Sequence, residues 1–219
     1  MVALGVVGAV LLYRLARHVK MARYAVHGID VSHYQREVNW NRVETRYAFV
    51  FLKATEGVTL EDRYFRRHWQ ALGRRRVKRG AYHFFLPAAD AGRQADHFIR
   101  HVRLRSGDLP PVLDVEVTGN ASSREIARGV QRWLERVGRH YKVRPIVYTN
   151  ASFYRQHLQG AVAGYPVWIA QYGWRTPQTE PAWHFWQYAD DGRVDGIAGA
   201  VDLNVFSGSL ADLNRLCLP

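Results

Sequence analysis

Short apolar runs rich in β-branched and aromatic residues recur along the chain from Val26 onward. They fall at Val26–Val31, Tyr47–Lys53, Gly80–Phe85, Pro111–Val117, Pro145–Thr149, Val167–Gln171, Trp183–Tyr188 and Ala200–Phe206. Gly, Pro, Asn or Asp bounds them, and each reads as a strand. Between several of them the apolar positions switch to helical spacing: Phe65, Trp69 and Leu72, then Ala91, Ala95, Phe98, Ile99 and Val102. A third helix follows the capping box Ser122-Ser-Arg-Glu125, with Ile126, Val130, Trp133, Leu134, Val137 and Tyr141 on one face. Alternating strands and helices predict parallel pairing through right-handed crossovers, and eight strands predict a closed barrel. Beyond Val167 the connections read as loops. The expected fold is α/β, an irregular TIM-like (β/α) barrel with eight strands and fewer outer helices than a regular one, over residues 26–219.

Residues 1–25 stand apart. Val2–Leu12 carries no charge, and Arg14, Arg17, Lys20 and Arg23 follow it. Such a run is shorter than the roughly 20 apolar residues that span a bilayer. The segment is read as a signal or a short anchor with a basic flank, which implies export to the periplasm or beyond and membrane association through residues 2–12. The alternative is a first helix packed on the domain.

Composition narrows the function. With 47% hydrophobic and 23% charged residues the chain is of ordinary globular type, which excludes disorder and a long coiled coil. The single cysteine, Cys217, excludes a disulfide framework and a zinc–thiolate site. Lys and Arg number 31 against 19 Asp and Glu, and the net charge of +12 predicts an anionic partner. The densest basic run is Arg74-Arg-Arg-Val-Lys-Arg79, expected on the outer surface. It closes a helical pattern, where cations suit the helix dipole.

The acids gather elsewhere. In a parallel barrel the site lies at the carboxyl ends of the strands. Those ends hold Asp30, Lys53 with Thr55 and Glu56, His83, Asp114 with Glu116, Tyr148, Gln171, Gln187 with Tyr188, and Asp202. Asp114 and Glu116 are two apart on a strand and share a face, their Cα atoms roughly 6.6 Å apart. Apolar neighbours on both faces argue against an edge strand. Two carboxylates so close in a partly dry pocket force one pKa upward, and a carboxylic acid still protonated near neutrality is what glycosidic cleavage requires. A hard-cation site built from Asp30, Asp114, Glu116 and Asp202 is the competing reading, although no metalloprotease or calcium-loop motif accompanies it. His83 alone reads as a core histidine. Trp168, Trp186 and Tyr188 suit either a core or stacking on sugar rings. An acidic mouth repels a phosphate backbone, which argues against nucleic acid.

Eight segments, in order, carry a resemblance. Gly28-Ile-Asp-Val-Ser-His-Tyr-Gln35 with Asn39-Trp40, Phe49-Val-Phe-Leu-Lys-Ala-Thr-Glu-Gly57, Gly80-Ala-Tyr-His-Phe-Phe85 and Pro111-Val-Leu-Asp-Val-Glu116 form the first half. Val147-Tyr-Thr-Asn150, Val167-Trp-Ile-Ala-Gln-Tyr172, Trp186-Gln-Tyr188 and Gly199-Ala-Val-Asp-Leu-Asn-Val-Phe206 form the second. Together they resemble glycoside hydrolase family 25, the Chalaropsis-type lysozymes. The resemblance implies a monomeric β-1,4-N-acetylmuramidase acting on peptidoglycan glycan strands, with no cofactor and no metal. It implies Glu116 as general acid and Asp114 as the group that orients the substrate N-acetyl group. Asp30 and Asp202 match the other acidic positions of the cleft. Tyr82, Tyr148, Gln171 and Gln187 fall where the family lines its groove, and Trp168 and Tyr188 join them as aromatic substrate contacts. One departure stands out: Arg36-Glu-Val38 replaces the family's usual glycine and the aliphatic-acidic pair after it. The alternative function is a non-catalytic cell-wall glycan-binding protein, which has no need of four acids.

Overall fold

A computed structural model describes residues 12–219 apart from 14, 18, 174, 180 and 181. The expected signal or anchor, Val2–Leu12, lies outside the described residues except for Leu12. Eight strands close a barrel: β1 (Val26–Val31), β2 (Tyr47–Glu56), β4 (Lys78–Phe84), β5 (Val112–Asp114), β6 (Ile146–Asn150), β7 (Val167–Ala170), β8 (Phe185–Gly192) and β9 (Val201–Phe206). A short β3 (Leu60–Glu61) folds back on the end of β2. Pairing from β1 through β2, β4, β5, β6 and β7 to β8 is parallel throughout. The all-parallel expectation fails at one place, because β9 runs antiparallel to both β8 and β1. Only residues 193–200 join β8 to β9. A parallel return needs a crossover of about a dozen residues or more, so a link this short reverses the strand.

Period-two alternation sorts the side chains into two layers. Phe49, Phe51, Val112, Ile146, Trp168, Phe185 and Phe206 point into the barrel and are buried there. Val50, Leu52, Ala81, Leu113, Val147 and Ile169 point out, against the helices. The lower barrel is filled by aromatic rings: Phe51 stacks on Trp168 at 4.6 Å, and Phe185 lies 4.8 Å from Phe206. Two inward glycines make room for them. A Cβ on Gly28 would meet the Phe49 ring at 2.3 Å, and one on Gly80 the Phe51 ring at 2.4 Å.

Helices α2 (Phe65–Leu72), α3 (Ala91–His101) and α4 (Ser123–Tyr141) cover the barrel from β2 to β6. The Ser122 capping box forms as read, with Glu125 Oε2 accepting the Ser122 N–H at 2.8 Å. After β6 the helical layer thins to α5 (Ala151–Phe153), which runs into a π-helical turn at Tyr154–Leu158. A last helix, α6 (Leu210–Leu216), went unread in the pattern, although Ser209 and Asp212 cap it in the same way. On the thin side lies α1, helical at the described positions from 12 to 21. Met21 is buried there against Trp186, Tyr188, Ala189 and Val205. Arg17 pairs with Asp191 at 2.6 Å, and Lys20 Nζ donates to Thr176 Oγ1 at 2.9 Å. The described part of the amino-terminal segment is thus a piece of the barrel's outer layer.

The basic run also needs correction at its last residue. Arg79 is only 6% exposed; its guanidinium pairs with Asp108 at 2.8 Å and lies 4.0 Å over the Trp69 ring. As the second residue of β4 it is held in the wall, where an unpaired cation would be costly.

Candidate active site

The upper end of the barrel, at the carboxyl ends of the parallel strands, opens into a cavity of about 390 Å³. It gathers Asp30, Asp114, Glu116, Asp202, Tyr82, Tyr148, Trp168 and Gln187 of the residues expected from the sequence. A larger, open groove of about 950 Å³ runs along the outer flank beside α2. Its two acids, Glu37 and Asp195, are paired with Arg67 and Arg42, so the carboxyls free for chemistry gather in the smaller cavity.

Asp202 reaches this rim for a reason the strand pattern did not contain. It is the second residue of β9, near that strand's amino end. Because β9 is reversed, that end lies beside the carboxyl ends of its neighbours, and Asp202 pairs in register with Asp30. Asp30 Oδ1 accepts from Asn204 Nδ2 at 2.7 Å and from Gln187 Nε2 at 3.0 Å. Each donor is itself fixed. Tyr148 Oη donates to Gln187 Oε1 at 2.9 Å and Tyr172 Oη at 3.2 Å, while Trp168 Nε1 donates to Asn204 Oδ1 at 2.9 Å. Burial raises the Asp30 pKa, and the Asn204, Gln187 and Asp202 donors pull it back. Burial, then the charge of Asp30 and a hydrogen bond to it, push Asp202 up to about 9. The two carboxyls face each other across the β1–β9 pairing, and the pair keeps a proton to a higher pH than isolated carboxylates do.

A second carboxyl pair lies across the cavity. Strand β5 ends at Asp114, so Glu116 stands two residues beyond it, yet both side chains line the same cavity. Burial raises both pKa values; the charge of Glu116 adds to the rise of Asp114, which goes well above the ordinary range. Lys53 opposes the shift in both. Its Nζ donates to Glu56 Oε2 at 2.7 Å and lies 5.0 Å over the Phe84 ring. Asp114 is buried, and its Oδ1 finds no hydrogen-bond partner among the described residues. A buried acceptor left so is costly unless a ligand donates to it.

Two expected residues sit elsewhere, and His83 is the core histidine the sequence suggested. Tyr188 faces outward from β8 into the cluster with Met21, Trp186 and Val205, because its neighbour Gln187 faces inward. Gln171 donates from Nε2 to the Arg175 carbonyl at 2.8 Å and does not line the cavity, whereas Tyr172 does. His83 faces the helix layer, stacked on Trp133, with Thr55 Oγ1 2.8 Å from Nδ1 and Gln94 Oε1 3.2 Å from Nε2. Burial lowers its pKa to about 3, so it is a neutral brace. Asn204 and Tyr172 were missed. Both keep the parity of an inward neighbour, Asp202 and Ala170 respectively, and counting by twos along the strand finds them. At the rim, Tyr34 is 78% exposed on a short turn capped by Ser32. Among the described residues no three His, Cys, Asp or Glu side chains are disposed to hold a metal ion together.

Known proteins share this arrangement of strands. The chain is 44% identical over 199 residues to the protein YegX of Escherichia coli (strain K12), spanning 88% of this chain and 73% of that one. It is 37% identical over 208 residues to Lysozyme M1 of Streptomyces globisporus, spanning 87% and 71%. Among solved structures, the bacterial lysozyme from Streptomyces coelicolor matches with a TM-score of 0.83 at 34% identity, over 88% of this chain and 97% of that one. Residues 29–197 match the model for Glycosyl hydrolases family 25. That match runs from the strand bearing Asp30 through the Asp114–Glu116 pair to the link before β9, and the chain belongs to glycosyl hydrolases family 25.

Proposed function

We propose that the protein is a β-1,4-N-acetylmuramidase that cuts peptidoglycan between N-acetylmuramic acid and N-acetylglucosamine, with Glu116 as general acid and Asp114 as its partner. The observation that carries the assignment is the buried Asp114–Glu116 pair with an unpartnered Asp114 Oδ1. The two carboxyls share a proton in the free enzyme. A substrate acetamide N–H is a donor, so it selects the state with Asp114 ionised and Glu116 protonated. Glu116 then gives its proton to the glycosidic oxygen as the C1–O bond breaks. The acetamide oxygen closes on C1, and ionised Asp114 stabilises the resulting cyclic cation. Glu116, now a carboxylate, takes a proton from the water that reopens the ring. The Asp30–Asp202 pair adds negative potential as positive charge grows at C1. Tyr82, Tyr148 and Gln187, with the indole of Trp168 below them, shape the floor on which the sugar rests. The substrate lies outside the cytoplasmic membrane, and the enzyme is taken to be exported.

Purified cell wall tests this reading. Glu116→Gln keeps the shape and removes the donor, so release of reducing ends should fall by at least about 10²–10⁴-fold, the usual contribution of general acid catalysis. Asp114→Asn should lose most activity and displace the pH profile. Near-normal digestion by folded Glu116→Gln would remove Glu116 from the role. A wild type that binds wall and releases no reducing ends would make the protein a glycan-binding module.

A further inference from the structure

The pole opposite the cleft has a cavity of its own. It lies between the turn that leads from α2 into β4 and the turn that leads from α3 into β5, at the amino ends of those strands. Its volume is about 390 Å³. Arg75, Arg76, Lys78 and Arg105 line it. The acid in its wall, Asp108, is already consumed: its oxygens accept from Arg79 at 2.8 and 3.2 Å and from the Arg105 backbone N–H at 2.9 Å. Arg75 donates from Nη1 to Asn41 Oδ1 at 3.1 Å and has no carboxylate partner among the described residues. Arg76, Lys78 and Arg105 have no carboxylate partner among the described residues. Four like charges around one concavity repel one another, and an anion relieves that repulsion. Among ligands, a phosphate matches best. It offers several acceptor oxygens and more than one charge, and arginine forks bind it in a bidentate manner. The volume is within the range of small-molecule sites, larger than a monatomic ion needs.

We propose that this cavity binds a phosphate group, either free in solution or as the headgroup of an anionic lipid. The site is separate from catalysis. It sits at the amino ends of the parallel strands, so a ligand held there leaves the cleft open at the other end. A lipid-bound molecule would turn its cleft away from the membrane, and Arg75, Arg76 and Lys78 of the basic run acquire a defined ligand in place of a general attraction to polyanions.

Two probes separate the sources: inorganic pyrophosphate followed by calorimetry, and phosphatidylglycerol vesicles followed by co-sedimentation, with phosphatidylcholine vesicles as the neutral reference. The variant Arg76→Gln/Lys78→Gln/Arg105→Gln empties the cavity of charge. The variant Arg124→Gln/Arg128→Gln/Arg155→Gln removes the same charge from exposed positions at the cleft end. Wild type should bind at least one probe saturably. The cavity variant should weaken that binding at least tenfold and the other variant less than twofold. Sensitivity with vesicles assigns the lipid headgroup; sensitivity with pyrophosphate alone assigns free phosphate. Glu116→Gln should bind as wild type does, and the cavity variant should cleave a small soluble muroglycan within twofold of wild type. Equal losses in both triple variants, or no saturable binding of either probe by wild type, would overturn the proposal.

Discussion

Replacing Asp202 by Asn should make the protein more stable at neutral pH while slowing it. Asp202 faces Asp30 across the β1–β9 pairing, and its pKa is pushed up to about 9 from an ordinary value of 3.8. The sign follows from proton counting. Between those two values the folded chain holds a proton that the unfolded chain has released. Stability from this group is therefore complete below pH 4 and is lost as pH rises toward 9. One proton corresponds to about 1.36 kcal/mol per pH unit, so this group alone lowers the unfolding free energy by about 3 kcal/mol between pH 5 and pH 7. Asparagine keeps the shape and an N–H for Asp30, and it does not titrate. Urea unfolding followed by tryptophan fluorescence at pH 5, 6 and 7 measures the slope directly. The wild type should lose stability across this range more steeply than Asp202→Asn by about one proton's worth. Indistinguishable slopes with equal m values would refute the reasoning, because the proton would then not reside in the Asp30–Asp202 pair. Turnover should fall less in Asp202→Asn than in Glu116→Gln, since an electrostatic group is lost and not the proton donor.

Three further outcomes follow from particular contacts. Asn204→Leu removes the 2.7 Å donor to Asp30. That donor holds the Asp30 pKa down, so its loss should raise the pKa and carry the acidic limb of kcat/KM upward with it; an unmoved limb in a folded variant would leave Asn204 with no positioning role. Arg36 stands at φ 53°, ψ −130°, where the family usually has glycine, with its carbonyl 2.9 Å from His68 Nε2. Strain of this kind costs on the order of 1–3 kcal/mol, so Arg36→Gly should raise Tm by several degrees, and a Tm at or below wild type counts against it. Asp108→Leu leaves the Arg79 guanidinium buried and unpaired, at a cost of about 3–5 kcal/mol in urea unfolding. The double variant Arg79→Met/Asp108→Leu should recover most of that loss; no recovery would mean that packing and not charge is at stake.

The eight runs of the barrel were legible because strand formation is a local property of β-branched and aromatic stretches between turn residues. Alternation, which follows from backbone geometry alone, turns Asp30, Tyr82, Asp114, Tyr148 and Gln187 inward. It also held the answer to two misplacements: if Gln187 points in, Tyr188 points out, and after Ala170 the next inward side chain is Tyr172, not Gln171. The Ser122 capping box was legible for the same reason, since it closes within four residues, although the equivalent box at Ser209 went unread. What lay beyond the sequence pattern was whatever depends on partners distant in the chain. The short link 193–200 reverses β9, but only closure of the barrel onto a first strand some 170 residues earlier brings Asp202 beside Asp30. Arg79 belongs to a basic run by sequence and to the wall by structure, because Asp108 and Trp69 reach it from two other segments. The packing of α1 on β8 rests on Met21 meeting Trp186, a contact between chain segments that no periodicity records. Local chemistry determines which residues form strands and which way they face; only closure of the chain on itself decides which charges become neighbours, and hence where protons are held.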